Sequence, residues 1–102
     1  MKYFLYGATE SMRKVVEDLS SALRLRFEER DSSYKGGKYF LAHGEGFQEI
    51  SVESNWEDEE GFASEPNFKE YPILVYFNGV GDEARNLLSE LRVIVLLRVD
   101  EI

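Results

Sequence analysis

Between residues 12 and 23 the apolar positions Met12, Val15, Val16, Leu19, Ala22 and Leu23 recur three and four apart, while Arg13, Lys14, Glu17, Asp18, Ser20 and Ser21 occupy the other side. That period puts every apolar residue on one face, so the pattern predicts an amphipathic helix of about three turns with a single buried stripe. Thr9 is the expected N-cap, its hydroxyl able to accept a backbone N–H left unpaired at the helix start. Glu10 then falls in the first turn, where its charge complements the helix dipole. Ahead of the helix, residues 2–6 (Lys-Tyr-Phe-Leu-Tyr) are rich in aromatics and read as a first strand, closed by Gly7.

After the helix the period falls to two. Leu25 and Phe27 alternate with Arg26 and Glu28, predicting a half-exposed strand over 25–30. Residues 31–37 read as a turn in which Gly36 and Gly37 are free to take positive φ. Strands follow over 38–43 and 47–54, joined by a hairpin at Gly44-Glu45-Gly46. On the second of these, Ile50 and Val52 share one face and Glu49, Ser51 and Glu53 the other, so one face is expected to pack and the other to meet water. Residues 73–77 are unbroken apolar, as in a central strand covered on both sides. Asn78-Gly79 turns the chain, and Asp82 is expected to cap a short helix that points Ala84, Leu87, Leu88 and Leu91 inward. The last strand, over 93–99, is apolar almost throughout and so expected in the interior. The order β-α-β-β-β-β-α-β predicts an α+β fold. Its expected form is a single mixed, largely antiparallel sheet with two helices packed on one face, similar to ferredoxin-like arrangements.

Composition narrows the chemistry. At 102 residues and 11.8 kDa the chain suits one domain. The absence of cysteine excludes a disulfide framework, a thiol nucleophile and thiolate zinc sites. A lone histidine, His43, excludes a multi-histidine metal centre. No apolar run approaches the roughly 20 residues of a membrane helix, and the N-terminus lacks the features of a secretory signal. A cytoplasmic protein is the expectation.

Net charge is −8, and its distribution is uneven. Residues 44–71 hold nine acids (Glu45, Glu49, Glu53, Glu57, Asp58, Glu59, Glu60, Glu65 and Glu70) against Lys69 alone, a balance of −8 that equals the whole imbalance of the chain. Such concentration argues against nucleic-acid phosphates and anionic membranes as partners. Its natural complement is a basic protein, because opposed potentials speed encounter and suppress wrong partners. The competing use is solubility: an acidic loop keeps a small protein dispersed and monomeric.

Candidate active-site patterns give little. No Gly-x-Ser-x-Gly elbow is present, and His43 falls in a predicted strand, where a half-exposed packing role competes with that of a general base. The run Glu57-Asp58-Glu59-Glu60 lies on an expected solvated loop, without the fixed separation and desolvation that paired catalytic carboxylates need. It also lacks the alternating ligands and central glycine of a calcium loop. Gly79-Val80-Gly81-Asp82 precedes a helix as a phosphate-cradling turn does, but Asp82 at the helix mouth opposes an anion. No catalytic residue, cofactor or metal site is therefore assigned.

The segment 55–71 shows neither period, which is long for an irregular connection and typical of functional loops. It combines carboxylates with aromatics. Exposed acids supply steering and charge-assisted bonds to arginine and lysine, and embedded aromatics supply the desolvated anchors that dominate binding energy. Trp56, Glu57, Asp58, Glu59, Glu60, Phe62, Glu65 and Phe68 are accordingly the candidate partner-binding residues. Alternatively Trp56, Phe62, Phe68 and Tyr71 fold back over a sheet face and leave the acids as a solvated rim.

In size, acidity and layout the chain resembles the small immunity proteins of bacterial toxin–immunity systems, including contact-dependent inhibition and other polymorphic toxins. The residues that carry the likeness are Tyr34-Lys35-Gly36-Gly37-Lys38-Tyr39, the acidic stretch Trp56-Glu57-Asp58-Glu59-Glu60, and Tyr71-Pro72-Ile73-Leu74-Val75. The resemblance implies a non-catalytic cytoplasmic inhibitor, monomeric or weakly dimeric. Its partner would be a cognate basic toxin, often a nuclease, whose active site it occludes by mimicking phosphate charge. Two other readings compete with it. One is a ligand-sensing module holding a small anion or amino acid at Gly7-Ala8-Thr9 and Gly79-Val80-Gly81. The other is a small enzyme built on His43 and nearby acids.

Overall fold

The computed structural model describes residues 2–44, 47–79 and 82–101. In chain order the elements are β1 (Lys2–Ala8), α1 (Met12–Leu23), β2 (Glu28–Ser32), β3 (Gly37–Gly44), β4 (Phe47–Ser54), β5 (Ile73–Asn78), α2 (Asp82–Ser89) and β6 (Val95–Glu101). Single 3₁₀ turns lie at Ser33–Lys35 and Pro66–Phe68. The strands form one sheet in the order β2-β3-β4-β5-β1-β6. The α+β class and the two-helix layout are as the periodicities imply. The sheet, however, is not mixed, because every described pairing is antiparallel. The helical crossovers do join parallel strands, but each leaves other strands between the pair it joins. β5 and β6 flank β1, and β1 and β2 are separated by β5, β4 and β3. β5, α2 and β6, with β1 between the two strands, form a split βαβ unit of the kind found in ferredoxin-like arrangements, whereas α1 leads from β1 to β2 at the far edge of the sheet.

α1 spans the residues that its apolar stripe predicts, and Val15 and Leu19 are fully buried beneath it. Its cap is Ser11 rather than Thr9, because β1 runs on to Ala8 and Thr9-Glu10 serves as the link. The Ser11 hydroxyl accepts the Lys14 N–H at 3.2 Å, which leaves Glu10 before the helix instead of in its first turn. α1 ends at Arg24 in the left-handed region (φ 54°). There the Leu25 N–H returns to the Ser20 carbonyl at 3.2 Å, and the Ser20 hydroxyl donates to the Leu25 carbonyl at 2.6 Å. This reversal spends 25–27 on reaching the sheet: Leu25 and Phe27 pack against the core, and the strand expected from 25 begins at Glu28.

The core lies between the helices and one sheet face. Phe4, Tyr6 and Ala8 from β1, Ile50 and Val52 from β4, and Ile73, Val75 and Phe77 from β5 meet Val15 and Leu19 of α1 and Leu88 of α2. Cross-strand pairs Phe4–Phe77, Tyr6–Val75 and Val52–Val75 set this face in register. Two expectations near the C-terminus fail. β6 is an edge strand, with β1 its sole neighbour in the described sheet, so Val95, Leu96 and Val99 are each close to half exposed rather than interior. On the short α2, Leu88 is buried but Leu87 faces outward. The Ala84 side chain, like Glu45, Gly46, Val80 and Gly81, lies outside what is described. No helix among the described residues is long and apolar enough to cross a membrane.

The second sheet face also departs from expectation. Ser51 and Glu53, placed by alternation on the watered side of β4, are 3% and 8% exposed. Leu5 and Leu74 on the same face are buried too. The cover is the 55–71 segment, which folds back across the sheet instead of projecting from it. Gly7 admits it: a Cβ there would lie 2.6 Å from the Tyr71 ring and 2.8 Å from Leu97. The unbroken apolar run of β5 is thus sheathed on both sides, by the helices and by this segment.

Candidate functional site

Asn55 ties together the base of the segment. The Asn55 carboxamide donates to the carbonyls of Glu65 (3.3 Å), Phe68 (3.0 Å) and Tyr71 (3.2 Å), and its oxygen accepts the Glu65 N–H at 3.0 Å. Its backbone N–H reaches the Pro72 carbonyl at 2.8 Å. A connection with no secondary structure of its own must satisfy its backbone polar groups in another way, and Asn55 supplies much of that.

From this base Glu65 turns inward. Its carboxylate accepts from the Tyr76 hydroxyl at 2.9 Å and from both terminal nitrogens of Arg98 at 3.0 and 3.2 Å, a two-pronged charge-assisted contact. Arg98 also donates to Asp100 at 2.8 Å. Burial, reinforced by the bond it donates to Glu65, pushes the Tyr76 phenol well above its ordinary value. The Glu65 hydrogen bond raises the Arg98 guanidinium as well, so the charge is held. On β4, beside the strand that carries Tyr76, Glu53 accepts the Ser51 hydroxyl at 2.6 Å and the Lys35 ammonium at 2.8 Å. Lys35 also stands 5.1 Å from the centre of the Tyr39 ring. Every buried side-chain N or O among the described residues has a partner, and no group of three or more metal-ligating side chains converges there.

The tip is a small closed turn rather than a solvated tail. Glu57 bridges Ala63, the Asp58 N–H donates to the Phe62 carbonyl at 2.9 Å, and the Ser64 N–H donates to the Trp56 carbonyl at 2.9 Å. One Asp58 oxygen accepts the N–H groups of both Glu60 and Phe62 at 2.9 Å, while Gly61 takes the positive φ of 86° that closes the turn. Trp56 lies on Gly36, whose positive φ (76°) was foreseen. A Cβ at Gly36 would come within 2.5 Å of the indole. The structure therefore brings the Tyr34–Tyr39 stretch against the acidic one, with Tyr34 almost wholly exposed beside them.

Of the eight candidates, Trp56, Asp58, Glu59 and Glu60 come together around a shallow hollow of about 350 Å³. Phe62 is 63% exposed and Trp56 38%. Glu57 faces an adjoining hollow of about 160 Å³ and stands 3.8 Å from Lys69. Glu65 and Phe68 belong to the base instead, engaged with Arg98 and Tyr76 in one case and with Asn55 in the other. The two uses weighed for the aromatics are divided between them: Tyr71 covers the sheet at Gly7, whereas Phe62 projects into water.

No protein-family model, curated protein or solved structure matches this chain. Asn55, Ser51, Glu53, Tyr76 and Arg98 escaped sequence reasoning. Nothing in the period-two pattern of β4 distinguishes an acid under a covering segment from one in water. The positive φ at Gly36 accords with the turn expected there, but the seat it gives Trp56 had no signal in the sequence. His43 is exposed on β3.

Proposed function

We propose that this protein is a non-catalytic inhibitor of the immunity type, binding a basic protein toxin, such as a nuclease domain, in the cytoplasm of a bacterium. The observation that carries the reading is the tip. Trp56 is seated on Gly36 and still partly exposed, with Asp58, Glu59 and Glu60 around it. The carboxylates of Glu59 and Glu60 make no ion pair among the described residues. A fixed turn loses little freedom on binding, so its contacts convert more fully into affinity. Glu59 and Glu60 steer a cationic cleft toward the tip, and Trp56 with Phe62 supply apolar anchors once water is expelled. Carboxylates lodged in a nuclease cleft occupy the place of substrate phosphates.

The test is affinity capture from the native host, with mass spectrometry, followed by titration of the captured protein. The reading requires a basic toxin whose binding weakens with salt and with Glu59→Gln and Glu60→Gln together. Binding that is indifferent to both would dismiss the acidic tip. A small-ligand role has less support. Gly7 and Ala8 are strand residues, and the nearby 270 Å³ depression sets Glu10 and Asp18 beside Lys14 and Arg92. Lys14 is already paired with Asp18 at 3.0 Å.

A further inference from the structure

The two edges of the sheet are built differently. β2 presents Glu28, Glu29, Arg30 and Asp31, all exposed, and charged edges of this kind repel further strands. β6 is longer and presents Val95, Leu96 and Val99, each close to half exposed, with its outer backbone edge unpaired among the described residues. Leu96 and Val99 lie on the helix face, opposite Tyr6 and Phe4 of β1. Arg98 and Asp100 lie on the covered face, opposite Leu5 and Tyr3. A hollow of about 220 Å³ between α2 and the sheet, floored by Tyr6, Leu88, Ile94 and Leu96, extends the apolar strip inward from the edge.

We infer that β6 is a dimerisation edge, which pairs antiparallel with β6 of a second copy of this chain and joins two six-stranded sheets into one. Self-pairing demands self-complementarity, and residues 97–101 of β6 have it. An antiparallel alignment about Val99 pairs residues 97–101 of the two copies and sets Val99 against its own counterpart on the helix face, with Val95 and Leu96 lying beyond the paired stretch. On the other face it sets each Arg98 opposite the second copy's Asp100, so two pairs of opposite charge form across the seam. A net charge of −8 per copy opposes association in general, but little of it lies here. The acidic tip packs on Gly36, just before β3, and β3 is four strand spacings from β6, about 19 Å. That exceeds the roughly 10 Å over which salt leaves surface charges in mutual reach. The resulting dimer carries its two acidic tips toward opposite ends.

The test is sedimentation or light-scattering mass of the full chain from micromolar to millimolar concentration, with amide hydrogen exchange on the same samples. The inference predicts a mass rising from 11.8 kDa toward twice that value. Exchange within 97–101 should slow in parallel, and that of the β2 amides should not change. Val99→Lys, at a half-exposed position, should weaken dimerisation more than about tenfold while leaving the melting temperature of dilute protein unchanged. Asp100→Arg, which sets like charges across the seam, provides a second variant should the first fail to fold. A chain that stays monomeric at millimolar concentration overturns the inference. So does a dimer that forms without slowing exchange in β6, or one indifferent to both substitutions.

Discussion

The base and the tip of the 55–71 segment draw on the same residue types for opposite ends. At the base, Glu65 is committed to Tyr76 and Arg98, Phe68 gives its carbonyl to Asn55, and Tyr71 fills the space over Gly7. At the tip, Asp58 is spent on closing the turn, whereas Glu59, Glu60, Phe62 and part of Trp56 are turned to water. An acid beside an aromatic is therefore a structural element at one end and an available surface at the other. What separates them is whether a donor from the sheet lies within reach. Glu65 finds Arg98; Glu59 and Glu60 find none among the described residues.

Four changes would break or sharpen this contrast, in descending order of their effect on stability. Asn55→Ala removes the acceptor and donors that close the base and should cost about 2–3 kcal/mol, several net hydrogen bonds at roughly 1 kcal/mol each. Denaturant unfolding measures it, and a cost under about 0.5 kcal/mol would mean that the base is held in some other way. Glu65→Ala strands the Tyr76 hydroxyl and half-exposed Arg98 and should cost about 1–2 kcal/mol, with Glu65→Gln milder because an acceptor for Tyr76 remains. Next comes alkaline pH. Because the folded-state value of Tyr76 is raised, the protonated phenol contributes its full stability below the ordinary value near 10. That contribution is lost as pH climbs from there toward the folded-state value. Melting temperature against pH should fall more steeply above 10 for the native chain than for Tyr76→Phe. Last, Glu59→Gln combined with Glu60→Gln should shift stability by less than about 0.5 kcal/mol. A larger loss would show that these acids, too, serve the fold.

Legibility followed periodicity. The stripe from Met12 to Leu23 and the apolar run of β5 each contain enough residues to name their element and its buried faces. Strand order did not follow, since nothing in the β6 residues says whether one neighbour or two will flank them; Leu96 and Val99 read as interior for that reason. The acidic-aromatic character of the tip was legible from composition, and the positive φ at Gly36 from the glycine pair, but not the packing of Trp56 upon it. The base was not. Asn55, Glu53 and Arg98 are polar residues in local contexts that suit water, and the partners that tie them to other elements lie 10 to 33 positions away along the chain. Only the folded-back path of the segment brings them together.

Trp56 is the sole tryptophan of the chain, and it sits where the acidic turn meets Gly36. Intrinsic fluorescence excited in the indole band therefore reports on one seam rather than on an average over the molecule. Detachment of the turn should move the emission to longer wavelength while the helices stay intact by circular dichroism, and a bound macromolecule capping the ring should move it to shorter wavelength. The protein thus carries a built-in, label-free optical probe at the position where its surface chemistry is most concentrated.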